Sequence, residues 1–369
     1  MGRTCIHFGA GALGRGLVIP RLVAAGWAVK VVDPVTELLN SLRAGEGYAL
    51  EIRDGAGSRA LHIPLAGVFH PQHDAAALAD DLASASLVTT AVRRENLEAT
   101  VQHLAATWAT RMPPQVSLVA CENVERVDEL LRAMLDSTPL SRGRRDHLDI
   151  PRTIVDRICA NGWPETTTIR TETYTELAIS RSRRPIAGFD VVQDIDAMFD
   201  RKRYLVNTFA DAAAILGLGR GHAYLSEAFR DDSLLEELAP LLRALQLHLQ
   251  LKHGLGIADL EAYTRTSRER LAEDFIPRRL DTVARNIWRK MEPEERFFAP
   301  LIDLAQRGRL ERPSLAVIAR LVVLGNEYGG DRRDPLTSLR DIGTTHARES
   351  TIDAVYSEVI AEVHRLVSS

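Results

Sequence analysis

The stretch Thr4-Cys5-Ile6-His7-Phe8-Gly9-Ala10-Gly11-Ala12-Leu13-Gly14-Arg15-Gly16 decides the fold. A short apolar run enters a turn with glycines at its first, third and sixth positions. An apolar segment at helical spacing, residues 17–25, leaves the turn, and a second strand-like run, residues 28–32, ends in Asp33. Strand, glycine turn, helix, strand and acid follow one another as a dinucleotide-binding βαβ unit requires. Gly9 permits the tight turn, Gly11 lets backbone approach a pyrophosphate, and Gly14 lets the helix pack closely on the strand. The pyrophosphate then rests on free N–H groups at the helix N-terminus. This makes Gly9, Ala10, Gly11, Ala12, Leu13 and Gly14 candidate cofactor contacts. Asp33, 19 residues after Gly14, is placed to accept hydrogen bonds from the adenosine ribose. Its carboxylate would repel a 2′-phosphate and Pro34 supplies no offsetting cation, so NAD is expected rather than NADP. The alternative, a glycine turn that only packs a helix, does not call for the acid after the second strand.

Composition bounds the rest. The 369 residues suffice for two domains, and 45% hydrophobic with 26% charged residues is the balance of a globular protein. A formal net charge of -4 gives no reason to expect nucleic acid or an acidic membrane as partner. Three widely spaced cysteines, Cys5, Cys121 and Cys159, make neither a disulfide framework nor a metal cluster, and no metal is expected. With no apolar leader and no run long enough to span a bilayer, the expected location is cytoplasmic.

Two more apolar runs, residues 85–92 and 115–120, read as strands whose carboxyl ends would line a cofactor site. Thr90, Ala91 and Val92 close the first and are followed by Arg93-Arg94. Cys121-Glu122-Asn123 follows the second. Glu122 and Asn123 suit a nicotinamide amide or a substrate hydroxyl, and Asn123 equally suits a loop or a helix N-cap. Residues 135–149 read as a basic surface excursion, and threonine-rich residues 166–179 suggest further sheet. The domain junction is expected near residue 190. Beyond it helical patterns dominate, at 196–216, 233–251, 256–273, 278–290, 294–307, 314–324 and 351–367. The expected class is α/β: an N-terminal Rossmann-type NAD-binding domain (1–190) and a mostly α-helical substrate and catalytic domain (191–369).

Hydride transfer between NAD and an alcohol needs a base for the hydroxyl proton and donors for the alkoxide. Lys202 and Asn207 offer both without a metal. On an ideal α-helix residues five apart lie about 140° from one another, so the long lysine stem would have to bring its amine round. Arg201 and Arg203, beside the lysine, either depress its proton affinity or point to solvent. Lys202 taken alone, without the upstream motif, reads more readily as a solvated helix position than as a base.

Set along the chain, His7-Phe8-Gly9-Ala10-Gly11, Gly14-Arg15-Gly16, Thr89-Thr90-Ala91-Val92, Ala120-Cys121-Glu122-Asn123, Val155-Asp156-Arg157-Ile158, Glu172-Thr173, Glu176 and Lys202-x4-Asn207-Thr208 resemble the polyol-specific long-chain dehydrogenase/reductase family. The likeness is greatest to its mannitol-1-phosphate 5-dehydrogenase branch. Gly221-His222 and the segment bearing Arg285, Arg289 and Lys290 look similar too. The resemblance implies metal-independent hydride transfer between a sugar alcohol, phosphorylated or not, and the corresponding ketose, using NAD. It implies that Lys202 is the general acid/base and that Asn207 binds the oxyanion. It suggests a monomer or at most a weak homo-oligomer, with a small-molecule polyol or ketose as partner.

Two departures stand out. The family signature has a histidine three residues after the asparagine, where this chain has Ala210, and Asp211 lies near the same face. Arg93-Arg94 stands where close relatives have Gly-Pro. Asn123, Ala210, Arg285, Arg289 and Lys290 are the candidate substrate-binding positions, and the three cations together with Arg93 and Arg94 suit an anionic substrate. The departures leave two other readings: the same fold oxidising a different polyol-like intermediate in a specialised pathway, and a non-catalytic NAD-binding protein.

Overall fold

The computed structural model describes residues 3–54, 57–345 and 350–368. The chain divides into two compact units, Met1–Ile195 and Asp196–Ser369.

In the first unit the strands are β1 (Thr4–Phe8), β2 (Ala28–Val32), β3 (Gly47–Asp54), β4 (Gly57–Pro64), β5 (Gly67–Phe69), β6 (Leu87–Thr90), β7 (Val116–Ala120) and β8 (Leu148–Asp149). They continue with β9 (Thr153–Asp156), β10 (Cys159–Asn161), β11 (Ile169–Glu172), β12 (Glu176–Ile179) and β13 (Asp190–Val191). The central sheet runs β5-β2-β1-β6-β7-β8 and is parallel at each pairing. Its strands are buried on both faces, as a parallel sheet covered on each side requires. Cys5, Val29, Val31, Leu87 and Val119 enter one core with Leu17, Ile19 and Leu22 from the first helix. Ile6, Phe8, Val32, Val88 and Leu118 enter the other with Leu97, Val101 and Trp108. The topology reverses at β1, whose neighbours are β2 and β6, and there an open α/β sheet binds ligands outside its carboxyl edge.

Two smaller sheets, β10-β11-β3-β4 and β13-β12-β9, complete the unit. The β3–β4 hairpin carries no clear alternation, because β4 is exposed along most of its length. The basic excursion ends in a buried element, since Leu148 and Asp149 pair with β7 as the edge of the central sheet. Arg144 donates to the carbonyl of Trp108, which ties that segment down.

The second unit is helical. Its centre is Phe209–Gly219, where Ala212, Ala213, Ala214 and Ile215 are all fully buried. Small side chains let it approach the helices Leu225–Arg230, Asp232–His253, Leu280–Val283 and Arg312–Tyr328. On Asp232–His253 the buried Leu234, Leu238, Leu241, Leu245 and Leu249 form one stripe at helical spacing. The helix expected over 278–290 is instead two short ones, Leu280–Val283 and Ile287–Lys290. Asn286 between them is left-handed, with φ 60, and ends any continuous helix. Among the described residues no helix is long and apolar enough to cross a membrane.

Candidate active site

The glycine turn is built as its spacing suggests. A Cβ at Gly9, whose φ is +102, would lie 2.5 Å from the Ala91 carbonyl oxygen. One at Gly14 would meet the Gly9 oxygen at 2.4 Å and His7 Nε2 at 2.5 Å. At Gly11 an added Cβ meets nothing within 4 Å, so this position is the open one. A π-helical turn, Gly14–Val18, and the helix Ile19–Ala24 carry the chain away. Ala10 is buried, while Gly11, Ala12 and Leu13 are partly exposed. Asp33, half-buried at the end of β2, accepts the Ala10 N–H at 2.7 Å through one oxygen and the Val35 N–H at 3.0 Å through the other. It therefore also fixes the turn.

Thr90 and Glu122, both expected as cofactor contacts, are bonded to each other. Thr90 is fully buried and donates its hydroxyl to Glu122 at 2.8 Å, while the Val92 N–H donates to the other carboxylate oxygen at 2.9 Å. Burial pushes the Glu122 carboxyl up, and these two bonds oppose that. A carboxylate just beyond β7 thus braces the end of β6, a cross-strand relation that one strand's sequence cannot reveal. Ala91 and Val92 remain partly exposed on the segment so held. Asn123 is exposed beyond β7, and it is not a helix cap, because the cap of Val127–Asp136 is Arg126.

In the second unit Lys202 closes the helix Ile195–Lys202, and a π-helical turn, Arg203–Thr208, follows it. The Thr208 hydroxyl donates to the Arg203 carbonyl, five residues back, at 2.9 Å. In i→i+5 geometry, residues five apart take the stacked relation that residues four apart have in an α-helix. Lys202 is the N-cap of this turn and Asn207 lies within it, which reduces the angular offset that an ideal α-helix would impose. Lys202 is only 7% exposed, so it is not a solvated helix residue. Nor do its neighbours point to solvent. The Arg201 guanidinium lies 3.9 Å from the Tyr263 ring centroid, and Arg203 donates to the Glu294 carbonyl at 2.8 Å.

Ala210 is buried in the helix after the π turn. Asp211 beside it is buried too, and its oxygens accept from Lys290 and Arg296 at 3.0 Å each. Burial pushes the Asp211 carboxyl up, against the pull of the two cations. Lys290 also donates to the Val283 carbonyl at 2.8 Å, so it serves as an internal counterion to Asp211. Arg289 is exposed and lies 3.5 Å from Glu295, and Arg285 is exposed. The left-handed Asn286 thus sets Arg285 apart from Arg289 and Lys290, which share the helix Ile287–Lys290.

A sequence model of the mannitol dehydrogenase Rossmann domain matches residues 3–188. The mannitol-1-phosphate 5-dehydrogenase of Arthrobacter sp. (strain FB24) is 30% identical over 97% of this chain and 99% of its own. That of Paenarthrobacter aurescens (strain TC1) is 30% identical over 82% of each chain. The chain belongs to the mannitol dehydrogenase family.

Solved structures show that fold as well. Pseudomonas fluorescens mannitol 2-dehydrogenase, in ternary complex with NAD and D-mannitol, superposes with a TM-score of 0.69 at 16% identity, over 100% of this chain and 91% of that one. A substrate-free D-sorbitol dehydrogenase gives 0.78 at 14% identity, over 98% and 93%. The residues of this family member fit NAD: open space at Gly11, helix N–H groups beyond it, and an acid at the end of β2. Arg296, the second partner of Asp211, escaped the sequence reading because nothing in its neighbourhood sets it apart from other surface-type arginines. Arg15 was missed as well, although a charge opening an apolar helix is a signal that could have pointed to a buried, paired cation.

Proposed function

We propose that this NAD-dependent polyol oxidoreductase interconverts a phosphorylated sugar alcohol of the mannitol 1-phosphate type and its ketose phosphate. The first unit is the NAD-binding domain of this reading and the second the substrate and catalytic domain. The observation that carries the chemical assignment is the π-helical turn joining a buried Lys202 to Asn207. NAD, when bound, supplies the hydride acceptor for the alcohol or, once reduced, the donor for the ketose.

In the oxidation direction the Lys202 amine takes the hydroxyl proton from the carbinol oxygen. The Asn207 amide N–H₂ donates to that oxygen as negative charge develops, a neutral donor carried on the turn. As the carbinol C–H is lost as hydride, the oxygen lone pair becomes the carbonyl π bond. Lys202 is left as an ammonium that returns its proton to solvent, and reduction runs the same steps backward. Asn123, at the carboxyl edge of β7, is the proposed partner for a substrate hydroxyl.

The phosphate part of the reading rests on the full-length likeness to mannitol-1-phosphate 5-dehydrogenases. A second reading, a different polyol, is favoured by Ala210, a buried methyl where the family signature has a histidine, and by Lys290 being committed to Asp211. The test is to follow NADH absorbance with fructose 6-phosphate, with free fructose and NADPH alongside. Oxidation with the phosphate ester supports the first reading, and activity on free fructose alone favours the second. NADH binding without turnover on any ketose would leave a non-catalytic NAD-binding protein.

A further inference from the structure

Arg15 follows the glycine turn, yet it is fully buried and none of the steps above uses it. Its Nε donates to the Ala10 carbonyl at 2.7 Å. One terminal nitrogen donates to the Thr167 carbonyl at 2.5 Å and the other to Asn161 Oδ1 at 2.6 Å. Its own carbonyl accepts the Tyr48 hydroxyl at 2.6 Å, and its guanidinium carbon lies 5.6 Å from the Tyr48 ring centroid. A second arginine repeats the device. Arg157 donates to the Gly16 carbonyl at 2.6 Å and to the Glu172 carbonyl at 3.0 and 2.7 Å. The donors of both arginines end on carbonyl and amide oxygens, so their charge is held close behind the turn by dipoles.

The geometry matters most at one peptide. Ala10–Gly11 is planar and, as a trans unit, has its C=O and N–H pointing opposite ways. Asp33 fixes the Ala10 N–H and Arg15 fixes the Ala10 carbonyl. The direction of the Gly11 N–H is therefore set from both sides, at the one turn glycine with open space around it. Asn161 on β10 and Tyr48 on β3 belong to the four-stranded sheet, which is thereby joined to the turn.

We infer that Arg15 is a positioning residue for the dinucleotide: it locks the Ala10–Gly11 peptide so that Gly11 N–H faces the pyrophosphate, and it anchors the turn to the β10-β11-β3-β4 sheet through Asn161, Thr167 and Tyr48. A cation behind the turn also favours the anionic pyrophosphate in front of it. The inference rests on the NAD reading but not on the identity of the polyol.

The test is titration of NADH, ADP and adenosine into the wild type, Arg15→Met and Arg15→Lys, with thermal melting of each. Arg15→Met is expected to raise the Kd for NADH and ADP by about tenfold, with adenosine little changed. Arg15→Lys, which keeps the charge but not the fork, is expected to recover part of the loss. In turnover the KM for NADH rises while kcat at saturating NADH stays within about twofold. A folded Arg15→Met that binds NADH like the wild type would overturn the inference, as would an equal loss for adenosine. Should Arg15→Met not fold, Asn161→Ala removes one acceptor and is expected to weaken NADH about threefold; unchanged affinity there overturns the inference as well. Failure of the polyol assignment leaves these titrations untouched, whereas failure of the NAD reading shows as no NADH binding by the wild type.

Discussion

At the scale of single residues, Lys202 and Asn207 are the proposed catalytic pair, and Asp211 is the buried partner of Lys290 and Arg296. Lys202→Ala is expected to lower kcat by about 10²–10⁴-fold and Asn207→Ala by about 10²-fold, with the Kd for NADH unchanged in both. Oxidation needs the amine and reduction the ammonium, so the pH profiles of the two directions should bend in opposite senses. Lys202→Ala should lose that bend; its persistence would assign the proton to another group. Asp211→Ala leaves Lys290 and Arg296 facing each other without their buried carboxylate. It is expected to cost on the order of 3–5 kcal/mol, read from the urea midpoint. Arg93 holds φ 67 and ψ 157, a region that glycine alone adopts readily, while its side chain is 84% exposed. Arg93→Gly should therefore stabilise the chain by about 1–3 kcal/mol, and a lower melting temperature would contradict the strain argument.

At the scale of elements, the glycine turn separates folding from binding. Gly14→Ala puts a methyl against the Gly9 oxygen and the His7 ring, and should destabilise the fold by about 1–3 kcal/mol. Gly11→Ala meets no atom within 4 Å, so it should melt like the wild type yet bind NADH poorly. Equal melting losses in the two variants would contradict this division. His7, fully buried on β1, has a second signature. Burial lowers its pKa from 6.5 to about 4, slightly opposed by a backbone bond with Gly9. The unfolded chain therefore takes up a proton that the folded chain refuses. The stabilisation is complete above pH 6.5 and is lost as pH falls from 6.5 to about 4. It amounts to on the order of 3 kcal/mol. A His7→Gln variant should show a correspondingly shallower fall in melting temperature over that interval. The turn was legible in the sequence because glycine spacing, flanking apolar runs and Asp33 are all local signals. The π turn at Arg203–Thr208 was not, because residues 196–216 carry one continuous apolar pattern and nothing in it marks an extra residue per turn.

At the scale of the whole molecule, the α/β unit followed by a helical unit could be read from the change in hydrophobic period along the chain. The β3–β4 hairpin could not, since β4 lacks the inward-outward alternation that identifies a strand. The likeness to the mannitol dehydrogenase family was legible from motifs in order, whereas the work of Glu122, Lys290 and Arg15 depends on partners distant in sequence. Ala210 and the committed Lys290 make substrate choice the property most open to divergence from the relatives. The most direct measurement is NADH oxidation with fructose 6-phosphate by the wild type and by Lys202→Ala, each with NADH affinity determined separately. Turnover by the wild type and its near-complete loss in the variant, at unchanged NADH affinity, are the expected results. Equal turnover by the two proteins would contradict the Lys202 assignment.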